Sequence, residues 1–362
     1  MKRRKRNSSI SGSQISTTSL SILRKIQQGF QEKKQEIILS NPVKEPLSKD
    51  NIVQGPQFQY IPHVIRQYIL KHDWKHRYKI QQGFSVNRQE TGFIQFTVYI
   101  YTDQDEDMYP DILATFSLLL DYVSQKDTLK SKYELYLYAT PFLKQFPEKM
   151  GELIDEIHAN SGFTVKTDPV PIYVFRQEES RRVCIHEILH ALGFDGIHPE
   201  TGAAPAEGKD CINLLKPIQG QHLCDGNDGV RIYEALTETQ ATILNVLFQN
   251  PKSGSFLIKA LRREKQHVDH QIQEINRHYG ITNENYRGYK QGVSKTISYF
   301  LFRGFLMDKM DRFIKNTLLF PQSIDYVKII EEGIKKHGQK KTKKVLKRVG
   351  KNRKTLKMNY SE

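Results

Sequence analysis

The stretch Cys184-Ile185-His186-Glu187-Ile188-Leu189-His190-Ala191-Leu192-Gly193 sets two imidazoles four residues apart and a carboxylate directly after the first. On a helix, residues four apart stand one above the other, so both imidazoles can reach one ion while Glu187 projects toward a water on it. The spacing suits zinc, which takes two or three imidazole or carboxylate ligands, keeps a position for water and lowers that water's pKa to about 7. His186 and His190 are therefore candidate ligands and Glu187 the candidate general base. Val183, Ile185, Ile188, Leu189, Ala191 and Leu192 surround them with apolar side chains, which predicts a helix buried on most sides. A buried His-Glu-His set needs a compensating partner, and a metal supplies one. Gly193 is placed to end the helix and turn the chain back toward the site.

The elements that must position this helix are legible nearby. Residues 231–248 read as a second helix with Ile232, Leu236, Ile243, Leu244 and Leu247 as its apolar positions. Residues 93–101, 133–139 and 170–175 are rich in β-branched and aromatic side chains and read as strands, while 62–74 and 112–125 read as helices. Pro171, near the start of the strand that leads into the histidine helix, suits an edge position. The acidic turn 103–107 lacks calcium-loop spacing and reads as solvated. His267 and His270, three apart among Lys, Arg and Gln, read as a solvated helix face.

His186 to Phe194, HEILHALGF, resembles the active-site helix of zincin metallopeptidases. Metzincins among them would carry a third ligand three residues after the glycine, where this chain has Gly196, and no methionine lies between Phe194 and Met307 to make a Met-turn. The segment Glu238-Thr-Gln-Ala241 is instead similar to the Glu-x-x-Ala segment that supplies the third zinc ligand in gluzincin-type enzymes. The resemblance thus implies Glu238 as third ligand. Glu234, one turn earlier on the same face, is placed to orient a histidine. His198 and Glu234 are held in reserve as ligands. Thr140-Pro141-Phe-Leu-Lys144, Asn160-Ser161-Gly162-Phe163, Phe175-Arg176-x-x-Glu179 and Thr237-Glu238-x-x-Ala241-x-x-Leu-Asn245 together look like the predicted zincin-type proteases of nucleocytoplasmic large DNA viruses, over about residues 130–250. That likeness implies a mixed sheet packed on the histidine helix, with an edge strand that pairs with an extended substrate.

Charge divides the rest of the chain. The net charge is +15, and Lys2 to Arg6 together with residues 335–362 carry all of it, so the body between them is near neutral. We expect a basic, Ser/Thr-rich and mostly disordered segment at 1–56 with one weak helix around residues 20–39, a zincin-like catalytic domain at 57–250, a helical subdomain at 251–334 and a basic tail at 335–362. The fold class is α+β. The C-terminal basic run has no interleaved aromatic residue before Tyr360, which points to phosphate or acidic-surface contact rather than base stacking. No apolar leader or membrane-length span is visible, so an intracellular setting is expected, in host cytoplasm, nucleus or virion if the viral likeness holds, with the three cysteines reduced.

The expected activity is hydrolysis of peptide bonds in a protein or peptide substrate, as a zinc-dependent endopeptidase with His186, His190 and Glu238 holding Zn²⁺ and Glu187 as general base. The alternative is a non-catalytic zinc-containing or nucleic-acid-associated (virion) protein that works through its basic tails. One Tyr or His of the C-terminal region is expected to stabilise the oxyanion, and nothing in the sequence selects which.

Overall fold

The computed structural model describes residues 15–48, 52–86, 92–105, 107–124, 129–195, 232–250, 254–280, 297–319 and 325–338. His198, Cys211, Cys224, the first five basic residues and the basic run after residue 338 lie outside them. Among the described residues the chain is mixed α and β, with ten α-helices and one open six-stranded mixed sheet. No described helix is long and apolar enough to cross a membrane.

The strands are β1 (Lys44–Pro46), β2 (His76–Ser85), β3 (Phe93–Thr102), β4 (Lys132–Tyr138), β5 (Gly162–Thr164) and β6 (Val170–Val174), in the order β1-β2-β3-β4-β6-β5. β3, β4 and β6 run parallel, while β1, β2 and β5 are antiparallel to their neighbours. Parallel central strands are covered on both faces, which is why β4 and β6 carry almost no alternation in burial. One face carries Val98, Ile100, Leu135, Leu137, Ile172 and Val174, and it packs with α3 (Tyr109–Val123) and α5 (Ser180–Ala191) into the main core. The opposite face carries Tyr101, Tyr136, Tyr138 and Tyr173 and packs on α2 (His63–Lys71) and Phe58, Ile61 and Trp74.

Residues 52–61 lie across that tyrosine face, tied down by the hydroxyls: Val53 N–H donates to Tyr101 Oη at 2.8 Å, Tyr138 Oη donates to the Val53 carbonyl at 2.5 Å, and Gln57 N–H donates to Tyr173 Oη at 3.1 Å. Gly55 allows the close approach, since a Cβ there would collide with the Tyr173 hydroxyl and the Tyr136 ring.

One expectation is corrected. The edge strand beside the histidine helix is β5, and β6 with its Pro171 is interior, between β4 and β5. The helix expected around residues 20–39 is the 24-residue α1 (Thr17–Ser40), whose Leu23, Ile26 and Phe30 are buried and whose Phe30 stacks on Phe248 at 3.8 Å. Its start is fastened to the C-terminal region, because Ser16 N–H and Ser19 Oγ both donate to Asp311 Oδ1 at 2.7 Å. After α6 (Ile232–Gln249) come α7 (Ser255–His278), a π-helical turn at Ile297–Phe302, α8 (Arg303–Asp308), α9 (Met310–Asn316) and α10 (Asp325–Gly338), which runs past residue 334. Leu261, Phe305, Phe313 and Ile330 from these helices share one core cluster with Leu23 and Leu189, so the C-terminal helices are continuous with the sheet-bearing unit. The acidic turn is held by its own neighbours, with Asp103 on His72 and Asp105 on Lys75.

Truncating Phe30 to alanine should therefore destabilise the whole protein by about 3–5 kcal/mol in a denaturant titration. A change within about 0.5 kcal/mol, ordinary for a surface site, would show that this segment is not part of the core.

Candidate metal centre

The histidine helix α5 begins at Glu179, a non-glycine residue held in the left-handed region at φ 62° with its side chain fully buried. Its carboxylate accepts from Lys144 Nζ at 3.0 Å and Arg182 Nη2 at 3.2 Å. At the other end Gly193 adopts φ 72°, and the Phe194 N–H closes on the Leu189 carbonyl at 2.9 Å. This is the glycine turn expected from the sequence. Its consequence was not foreseen: the reversal delivers Asp195 to the helix it has just left, where Oδ2 lies 2.8 Å from His190 Nδ1. Lys166 Nζ holds both Asp195 oxygens at 3.1 Å.

His186 and His190 are buried, with their Nε2 atoms 3.0 Å apart. The third donor beside them is Glu234, whose Oε2 is 3.4 Å from His186 Nε2 and 3.3 Å from His190 Nε2. His186, His190 and Glu234 form the single group among the described residues arranged to hold a metal ion. Donor atoms on one tetrahedral ion, bonded at about 2.0–2.1 Å, lie roughly 3.3–3.4 Å from each other. The two sides that end on Glu234 meet that separation and the side between the histidines, at 3.0 Å, is shorter, while the donor set of two imidazoles and a carboxylate fits a divalent ion that keeps one open position. Asp195 Oδ2 is placed to accept from Nδ1 of His190, and in the neutral imidazole that bond assigns the free lone pair to Nε2, on the side of the centre.

The electrostatics agree. Burial alone would depress His190, but Glu234 and then Asp195 outweigh it and push the imidazole up to about 10. His186 is also raised, its burial offset by Glu234 and Glu238. Against its own burial, Glu234 is held well below the usual carboxylate range by these two histidines. The carboxylates thus create a potential that favours positive charge at the centre.

Glu238, expected as the third ligand, is committed elsewhere. Both of its oxygens lie 2.6 Å from Arg182 Nη1, and Oε1 is 3.2 Å from Arg303 Nη1. These guanidiniums overcome its burial and hold it well below the ordinary range. Oε2 approaches His186 Nδ1 at 3.1 Å, off the line of an aligned hydrogen bond. Glu238 is thus paired with the two arginines, while Glu234, the reserve ligand, is the carboxylate grouped with the two histidines. One helical turn separates the two, and both are buried on α6. Only the arginines arriving from α5 and α8 tell them apart.

Glu187 faces the edge strand, where Thr164 Oγ1 donates to its Oε2 at 2.9 Å. Burial raises its pKa, and the nearby histidines only partly oppose the shift. Tyr299, on the π-helical turn, donates to Glu234 Oε2 at 3.1 Å. A cleft of about 310 Å³, counting its open mouth, lies alongside, lined by Lys144, Ser161, Gly162, Arg182, Val183, His186, Glu187, Glu238 and Tyr299. Compared with family models, curated proteins and solved structures, the chain matches none.

Sequence reasoning missed Asp195, Thr164, Tyr299 and the buried ion pairs of Lys144, Glu179, Arg182 and Arg303. Two signals were present. An acid follows the helix-ending glycine by two residues, and Arg182 stands one turn before His186 on its helix.

Glu234→Gln should weaken binding of a divalent metal, titrated against a competing chelator, by more than the roughly 10–100-fold that loss of an outer partner costs. Glu238→Gln should stay within that range and instead lower unfolding stability by about 3–5 kcal/mol, because it leaves Arg182 and Arg303 buried without their carboxylate. The opposite pattern would return Glu238 to the ligand position.

Proposed function

We propose that the chain is a zinc-dependent peptidase of the zincin type, gluzincin-like, with His186, His190 and Glu234 as the metal-holding residues and Glu187 as the general base. The observation that carries this reading is the convergence of two imidazole nitrogens and a carboxylate oxygen at 3.0–3.4 Å, with a second buried carboxylate next in the chain. Zinc, when bound, lowers the pKa of a water to about 7 and polarises a carbonyl.

The remaining work falls to this chain's own side chains. Glu187 accepts the proton of the attacking water and gives it up to the leaving amine, and its burial, which raises its pKa above the usual carboxylate value, makes it the stronger base. The Thr164 hydroxyl holds that carboxylate on the side of β5. Tyr299 donates to Glu234 at 3.1 Å and is kept protonated by burial and by the surrounding carboxylates, so it is the residue we assign to the developing oxyanion. An extended peptide is accommodated along β5 by strand addition, which presents its carbonyls to the metal side.

Glu187→Gln should lower turnover of a casein or peptide-library substrate by at least about 10²–10⁴-fold while metal content stays unchanged. Wild-type turnover in that variant would sink the peptidase reading. Tyr299→Phe should reduce kcat by about 10²–10³-fold with little change in KM, which separates an oxyanion donor from a residue that only binds substrate.

A further inference from the structure

We propose that the free edge of β5 selects an aromatic side chain in an extended peptide, received against Phe163 and Tyr60 as the next rung of a ladder of rings that crosses the sheet. The inference rests on the peptidase reading for the identity of the peptide as a substrate, and on the rings for its chemistry.

Four rings lie in register on one face of the sheet. Tyr99 pairs with Tyr136, Tyr136 with Tyr173, and Tyr173 with Phe163 as direct cross-strand partners on β3, β4, β6 and β5. Their centroids are 4.9, 5.0 and 4.7 Å apart, with planes inclined by 9°, 14° and 23°. The spacing is that of the strands themselves, about 4.7–4.9 Å, so the stack is a property of the sheet and continues wherever another strand is added. Among the described residues it ends at Phe163 on the outermost strand, and the free edge is the edge of that strand. Beside it stands Tyr60, edge-on at 6.3 Å and 64 % exposed, making an aromatic corner open to solvent.

The backbone of β5 is oriented to accept that strand. Ser161 and Val165 turn their hydrogen-bonding groups inward, as the Phe175 N–H to Ser161 carbonyl bond at 2.9 Å and the Val165 N–H to Pro171 carbonyl bond at 3.2 Å show. Alternation along the strand then turns those of Gly162 and Thr164 outward, to the free edge. An antiparallel peptide bonded there places one residue opposite Phe163 in a non-hydrogen-bonded pair, the type in which side chains approach most closely. That side chain lies on the ring face of the sheet. The peptide residues on either side of it point the other way, toward the cleft, because Thr164 reaches Glu187 from the opposite face and a Cβ on Gly162 would meet Val183 and Glu187. One peptide therefore meets two unlike surfaces, the metal and polar cleft on one side and an aromatic corner on the other.

The probe is a set of quenched fluorogenic decapeptides of Ala, Ser, Gly and Lys carrying a single Tyr at successive positions. One position should raise kcat/KM by roughly two- to tenfold over the Tyr-free parent, the range of an aromatic pair. Tyr60→Ala and Phe163→Leu should each flatten the scan, and the exposure of Tyr60 makes its variant safe for folding. Turnover with a flat scan in the unaltered protein overturns the ladder and leaves the peptidase reading standing. If no peptide is cleaved, the labelled peptides are titrated onto Glu187→Gln protein by fluorescence anisotropy. A Tyr preference at one position that depends on Phe163 and Tyr60 would then keep the aromatic subsite and remove the peptidase reading, and no preference would overturn both.

Discussion

The structure depends on the pairing of Arg182 with Glu238. It joins the two helices that supply every proposed ligand, α5 and α6, through two contacts of 2.6 Å between side chains that are each 2 % exposed. Around it runs an alternating series of buried charges, with Lys144 and Arg182 on Glu179, then Arg182 and Arg303 on Glu238. Such a series is weak evidence of stability, because taking each charge out of water costs several kcal/mol that the partners must return. Its use is registration. With Glu238 clamped to the turn before His186, Glu234, one turn earlier on α6, has its Oε2 within 3.4 Å of both imidazole nitrogens.

Registration of the helices is matched by backbone control at both ends of α5. Glu179 starts the helix in a left-handed conformation that costs free energy for any residue with a side chain, and its two cationic partners are the compensating contacts. Gly193 ends it in the same region at little cost. The first conformation puts a carboxylate behind Arg182, the second brings Asp195 back to His190. The buried ion pairs of Glu179 and Glu238 thus flank the two histidines, outside the group of three donors arranged to hold a metal.

The C-terminal helices belong to this same machinery. Arg303 reaches Glu238 and donates to Thr242 Oγ1 at 2.8 Å, and Tyr299 reaches Glu234. Both come from one short stretch at the π-helical turn and the start of α8, a local irregularity of a kind often found where helices serve a site. The N-terminal helix α1 braces α6 from its other side through the Phe30–Phe248 stack and through Gln27, whose amide donates to the Leu247 carbonyl at 3.2 Å. Segments far apart in sequence converge on α6, which is why it is buried from Ile232 to Leu247.

By itself the sequence determined the elements whose cause is local. The spacing of His186, Glu187 and His190, the apolar run around them, the helix stop at Gly193 and the β-rich stretches of β3, β4 and β6 all follow from periods and propensities within a dozen residues, and each lies where it was expected. Tertiary structure decided what depends on partners distant in the chain. Whether Glu234 or Glu238 faces the histidines turns on Arg182 and Arg303, 56 and 65 residues from Glu238 in sequence. Helix α1 has a weak sequence pattern because its stability comes from the surface it covers, and β5 is three residues long, too short for any alternation to register. A local pattern fixes which side chains share a face, but the identity of what that face meets is a property of the packed chain alone.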